Sequence, residues 1–253
     1  MKINKFDYQP IEAKAEKFRA DHDLGRMLGI NLELLLRKLN VVAVFKPLGE
    51  DKAFSGMALK QDGQCFMLVN SSVGRGRQNF TIAHELYHLF VQRDFHVQFC
   101  YTGKFGQQSD PEERNADYFA ASLIMPKYRI LQAAGELEQG ASLSIKTIVE
   151  LEQEFQCSRQ ALLIRLKELN LINAREQEDF GKNVMLSARH LGYGTDLYQP
   201  TQTREAIGDY VPLASRLYDE ERISETHYAS LLHEFGLTPF DADDADPDSI
   251  DIS

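Results

Sequence analysis

Thr81-Ile82-Ala83-His84-Glu85-Leu86-Tyr87-His88-Leu89-Phe90 is the stretch from which the rest of the chain can be read. It contains no Gly or Pro, and Ile82, Ala83, Leu86, Leu89 and Phe90 are apolar, so it predicts a mostly buried helix that Thr81 can begin. Side chains four apart on a helix stand one turn above each other, with Cβ atoms about 5–6 Å apart. His84 and His88 can therefore reach one metal ion. Zinc accepts imidazole nitrogen, and its catalytic sites typically combine three protein ligands with an open position for water. Glu85, one step round the helix from His84, is placed to act on that water instead of on the ion. The cation lowers the pKa of the water towards about 7, and a carboxylate removes its proton as it attacks a polarised carbonyl. The H-E-x-x-H pattern thus predicts metal-assisted hydrolysis if a third ligand comes from elsewhere; without one, this is a packing helix that happens to carry two histidines.

A third ligand is offered by the segment that Pro111 opens and Pro126 closes, Glu112-Glu113-Arg114-Asn115-Ala116-Asp117-Tyr118-Phe119-Ala120-Ala121-Ser122-Leu123-Ile124-Met125. Proline in the first turn and acidic residues at the positive end of the macrodipole are helix-start signals. Glu113, Ala116, Asp117, Ala120 and Ile124 share a face of this helix, and the two alanines allow close approach to another helix. Carboxylates on a tightly packed apolar face are costly unless something cationic or hydrogen-bonding meets them. A metal held by His84 and His88 would do so. Glu113 is therefore assigned as the third ligand, and Asp117 as acceptor for the free ring N–H of one histidine. Glu112 points about 100° away and is expected to be a surface charge near the helix N-terminus, the same role that is the alternative for Glu113. His96 is a ligand only on paper, since the strand-like alternation of residues 95–101 makes it a partly buried or exposed histidine.

The 253 residues, 43% of them hydrophobic, suffice for one or two domains with a real core. No run approaches the roughly 18 apolar residues of a membrane span, and the polar start is no signal core, so the expected location is the cytoplasm. Cys65, Cys100 and Cys157 are widely spaced and form no C-x-x-C pair, which argues against a disulfide framework or a thiolate zinc site. They are expected to be reduced core residues. The formal charge is −10, or −4 without the six aspartates of residues 241–253. Such a chain has no global pull on nucleic acid or an anionic membrane, and the Asp-rich end reads as disordered.

Ile11, Ala15 and Phe18 mark residues 9–22 as an amphipathic helix, and the leucines of residues 31–39 mark a second, buried on more than one side. β-rich runs follow at 41–45, 53–60 and 65–70, with Asp62-Gly63 as a hairpin turn between the last two. The last strands of this small sheet could offer an edge to an extended peptide. Residues 71–78 read as a polar loop in which Arg75 or Arg77 could anchor a substrate carboxylate or an oxyanion.

Three blocks of the chain resemble the ImmA/IrrE family of metallopeptidases: Phe80 to Leu89 around the H-E-x-x-H motif, Glu113 to Pro126, and Cys157-Ser158-Arg159-Gln160-Ala161-Leu162-Leu163-Ile164-Arg165-Leu166. The resemblance covers roughly residues 10–175. It implies His84, His88 and Glu113 as metal ligands and Glu85 as general base, in agreement with the spacing argument. It also implies a small gluzincin-type fold and a protein substrate, a helix-turn-helix repressor. Asn115 stands where many relatives have a second glutamate, which leaves Glu113 the less ambiguous ligand.

Residues 145–169 carry helical apolar positions on either side of Gln156-Cys157-Ser158, with Ser158 as an N-cap, and so have a helix-turn-helix shape. Four basic and four acidic residues between 141 and 173 leave weak attraction for phosphate, which favours protein docking or packing over DNA binding. Residues 173–203 read as a linker or irregular extension, and 210–235 as helical again. His227 and His233, six apart, are taken as surface or packing residues.

The expected architecture is α+β: a small zincin-like metallopeptidase domain with a short sheet (1–135), a helix-turn-helix-like segment (136–175), a helical C-terminal region (176–238) and an acidic tail (239–253). The expected function is a zinc-dependent endopeptidase, with manganese or iron also suited to a His₂Glu site, that cleaves a repressor-type protein partner. The alternative is a regulator that sequesters such a partner without cutting it, around a structural metal. For the transition-state stabiliser, Tyr101, Tyr118, Tyr128, Arg77 and His190 all stay open.

Overall fold

The computed structural model describes residues 8–49, 54–93, 110–135 and 143–238, together with the backbone of 98–100. His96, Tyr101 and the acidic tail lie outside the described residues. Two helices come first, α1 (Gln9–Asp21) and α2 (Leu32–Lys38). α1 buries the expected Ile11, Ala15 and Phe18, and α2 is capped by the Asn31 side chain, which accepts from the Leu34 N–H at 3.0 Å. The strands β1 (Val41–Lys46), β2 (Gly56–Gln61) and β3 (Gln64–Asn70) follow, with Asp62 and Gly63 at positive φ in the hairpin between the last two.

The described sheet has five strands in the order β4-β2-β3-β1-β5, the outer two being β4 (Gln98–Cys100) and β5 (Glu205–Ile207). β1 and β3 pair in parallel, Val41 opposite Cys65 through Lys46 opposite Asn70; the other pairings are antiparallel. This narrows one expectation, because among the described residues β3 lies between β2 and β1, and β4 covers β2 at Gly56–Ala58. The rims belong to the two short strands.

α3 (Arg75–Phe90) carries the H-E-x-x-H motif and starts six residues before Thr81. Residues 75–78 of the segment expected to be a polar loop are therefore its first turn, while 71–74 precede the helix. Gly74 and Gly76 suggest a loop, yet Gly76 is there for space: a Cβ would stand 2.6 Å from the Ser158 backbone nitrogen and 2.7 Å from the Cys157 carbonyl carbon. Thr81 is interior, and its hydroxyl donates to the Arg77 carbonyl one turn back at 3.1 Å.

α4 (Pro111–Ile124) follows, with Asp110 as N-cap accepting from the Glu112 N–H at 2.9 Å. It packs against α3 and α1. Ala83 of α3 and Ala116 and Ala120 of α4 are wholly inaccessible, the close approach that small side chains permit. Phe119 meets Phe18 of α1 edge-on, with ring centroids 5.6 Å apart. Next come α5 (Lys127–Gly135), α6 (Ile145–Phe155) and α7 (Arg159–Glu168), the last capped by Ser158. The turn between α6 and α7 passes through Gln156 in the left-handed region, φ 52°. α7 buries Ala161, Leu162, Leu163, Arg165 and Leu166, so most of its surface lies in the core.

Residues 173–203 are mainly helical instead of irregular. α8 (Ala174–Phe180) is held by a capping box between Asn173 and Glu176, and α9 (Val184–His190) precedes a 3₁₀ turn at Asp196–Tyr198. These pieces gather around the buried Arg159. Its guanidinium forks onto Glu152 at 2.5 and 2.6 Å and also donates to the Phe180 carbonyl and the Ser187 hydroxyl. The Tyr198 hydroxyl donates to the same Glu152 carboxylate at 2.5 Å.

The chain then straps back over the start of α3 and the outer side of β1. The Arg75 N–H donates to the Gln199 carbonyl, the Gln202 N–H to that of Ser71, and the Ser71 hydroxyl to that of Thr203, before β5 pairs with β1. One apolar cluster runs from Ile11 to Ile207, and a smaller one, around Ala214, Tyr228 and Leu232, joins α10 (Tyr210–Asp219) to α11 (Glu225–His233). Cys65 and Cys157 are buried free thiols, and burial raises the pKa of both. Among the described residues no helix is long and apolar enough to cross a membrane.

Candidate metal centre

The α3–α4 contact brings the expected residues together. His84 and His88 are wholly buried, and their Nε2 atoms face each other at 3.2 Å. The Glu113 carboxylate reaches both, with Oε2 at 3.3 Å from His84 Nε2 and Oε1 at 3.5 Å from His88 Nε2. Asp117, one turn further along α4, places Oδ1 3.0 Å from His84 Nδ1. The His84 ring therefore donates from Nδ1 to Asp117 and turns its Nε2 lone pair to the cluster. His88 Nδ1 lies 2.6 Å from the Gln92 side-chain carbonyl, a contact that sequence reasoning missed although Gln92 is four residues after His88.

Two imidazole nitrogens facing each other at 3.2 Å can share at most one proton, and a carboxylate stands against both. Burial, then the proximity of His84, lowers the pKa of His88 and favours the neutral ring that a ligand must be. His84, His88 and Glu113 together form a buried set able to hold a metal ion. The donors fit: two imidazoles and a carboxylate suit zinc, and also manganese or iron.

Glu85 is fully buried on the face of α3 that also carries Arg77 and Thr81. That face lies on β2, where Gly56 is the reason for the close fit: a Cβ there would stand 2.5 Å from Thr81 Cγ2 and 3.6 Å from Glu85 Oε1. Glu112 is half-buried, not simply a surface charge, because it accepts from the Tyr87 hydroxyl at 2.6 Å and so fastens the start of α4 to α3.

The four described candidates for stabilising a transition state are held in different ways. Arg77 donates to the Ser55 hydroxyl at 3.2 and 2.8 Å. Tyr118 stacks on Tyr8 at 3.6 Å with the Arg165 guanidinium over its ring. Tyr128 is half exposed beneath Arg26, and His190 is exposed at the end of α9. Arg75 is also exposed, and His227 and His233 likewise lie on the outside of α11.

Glu168, at the end of α7, lies close enough to feel the charges of Asp117 and Glu12. Burial, followed by those two carboxylates, raises its pKa to about 7 against the pull of Arg165. Between about pH 4.5 and 7 the folded chain keeps a proton on Glu168 that the unfolded chain has released, so this group lowers stability as pH rises through that window. Its side chain is one quarter exposed, which screens the effect to on the order of 1–2 kcal/mol. Glu168→Gln is therefore expected to raise the melting temperature at pH 8 and to leave it unchanged near pH 4.5, as read by thermal melts across that range.

A buried H-E-x-x-H helix against a small mixed sheet, with a carboxylate supplied by the next helix, defines a zincin-like α+β domain. The model of the IrrE N-terminal-like domain matches residues 36–167, more than half of the chain. The chain belongs to the ImmA/IrrE family of metallopeptidases. No curated protein matches it. Among solved structures, a chain described as a Mycobacterium tuberculosis transcriptional regulator is similar at 18% identity and a TM-score of 0.40, over 62% of this chain and 46% of that one. The likeness thus spans less than half of the regulator's length.

Proposed function

We propose that this protein is a cytoplasmic, metal-dependent endopeptidase that cleaves a helix-turn-helix repressor and so relieves repression. The observation that carries the reading is the convergence of His84, His88 and Glu113, buried, with a further buried acid, Glu85, next to the first ligand. His84, His88 and Glu113 would hold the ion, which when bound supplies Lewis acidity, polarising the scissile carbonyl and lowering the pKa of the attacking water. Glu85, buried beside the first ligand, would serve as the proton carrier of the site, its carboxylate accepting a proton as base and giving it back as acid. Asp117 fixes the ring and tautomer of His84 throughout.

A protein partner, not DNA, is favoured by the charge balance of residues 141–173 and by the burial of α7, whose Arg159 and Arg165 are engaged by Glu152 and Glu12. The test is incubation of the purified protein and zinc with purified helix-turn-helix repressors. Discrete fragments that appear with zinc and vanish with a chelator are the expected result. A tight complex with no fragments in any metal would replace cleavage by sequestration around a structural ion.

A further inference from the structure

The two histidines of the metal centre are not held alike, and the difference points to a residue outside the motif. His84 donates to a carboxylate that α4 supplies, whereas His88 Nδ1 meets the neutral side-chain carbonyl of Gln92, at 2.6 Å, just beyond the end of its own helix. The end of α3 places that amide. The Val91 and Gln92 backbone N–H groups both donate to the Tyr87 carbonyl, at 2.8 and 2.9 Å, so the chain folds back over the last turn and returns the Gln92 side chain to His88. Because backbone groups already satisfy that terminal carbonyl, the amide is not needed as a helix cap.

An amide oxygen can only accept, so His88 must carry its proton on Nδ1 and present the Nε2 lone pair to Glu113 and His84. Resting on the metal-centre reading above, we infer that Gln92 is a positioning residue: its carbonyl holds His88 as an Nε2 ligand, as Asp117 holds His84. Outer partners of this kind orient ligating imidazoles and set metal affinity, typically by 10–100-fold. Gln92 is half-buried and outside the helix, so replacing it need not disturb the core.

The experiment compares Gln92→Leu, which keeps bulk and removes the acceptor, with Gln92→Glu, which restores one. Zinc affinity is measured by competition with a chromogenic chelator, and the His88 tautomer by long-range ¹H–¹⁵N spectra of the metal-free protein. Gln92→Leu is expected to weaken zinc about 10–100-fold and to release His88 into mixed tautomers, with the melting temperature of the metal-free protein unchanged; Gln92→Glu recovers wild-type affinity or better. If Gln92→Leu binds zinc as the wild type does and keeps the Nδ1–H tautomer, the inference is overturned and the metal centre stands. If the wild type itself holds no divalent metal, the functional reading and this inference fail together. Should Gln92→Leu lower the metal-free melting temperature, the Leu–Glu comparison still decides: a Glu variant as weak as Leu shows that the acceptor does not matter.

Discussion

Glu85→Gln is expected to keep its metal and to lose cleavage, by about 10²–10⁴-fold in the single-turnover rate, the usual contribution of a positioned general base. The substitution preserves shape at a side chain that is fully buried. It removes only the ability to accept and return a proton. Zinc content, measured by elemental analysis, should match the wild type, because the donors that converge are His84, His88 and Glu113. A variant that cuts the repressor at the native rate would place the base elsewhere.

The second large effect is Glu113→Ala. The carboxylate reaches both imidazoles, and losing it leaves two of three ligands, so zinc should weaken by more than the 10–100-fold expected for Asp117→Asn. The stability readout has a sign that separates a ligand from a structural ion pair. If Glu113 is there for the metal, the metal-free variant melts no lower than the metal-free wild type, because a costly buried carboxylate has gone. What disappears is the rise in stability on adding zinc, which for a free concentration 1,000 times Kd is about 4.1 kcal/mol. A metal-free variant destabilised by several kcal/mol, with zinc binding intact, would return Glu113 to the packing role.

What could be read from the chain alone was what repeats within a helix. The face Glu113, Ala116, Asp117, Ala120 and Ile124 carries its own argument, since two acids among small apolar residues need a cationic or hydrogen-bonding partner, and all five are buried. The apolar positions of α1, α6 and α7 were legible in the same way. The first turns of α3 were hidden because Gly74 and Gly76 resemble a loop, while the need for Gly76 arises from backbone far along the chain, at Cys157 and Ser158. α8 buries no side chain and α9 only Ala188, so neither has a periodicity to find. Asn173 followed by Glu176 was nevertheless a readable capping box. β4 and β5 are three residues each, and pairing across at least 40 and 160 positions leaves no local mark. Gln92 was within reach, four residues past His88, but nothing in composition distinguishes an amide that orients a ring from one that faces water.

The strap from Tyr198 to β5 has a consequence for handling the protein. A version shortened after residue 190 would strip β1 of its antiparallel neighbour and remove the Thr201 and Thr203 contacts at the root of α3. The bared backbone of Val44 and Phe45 would then be a template on which a second molecule could add its own strand. Such a fragment should self-associate on a sizing column at concentrations where the full chain runs as a smaller species, even with every residue of the metal centre present.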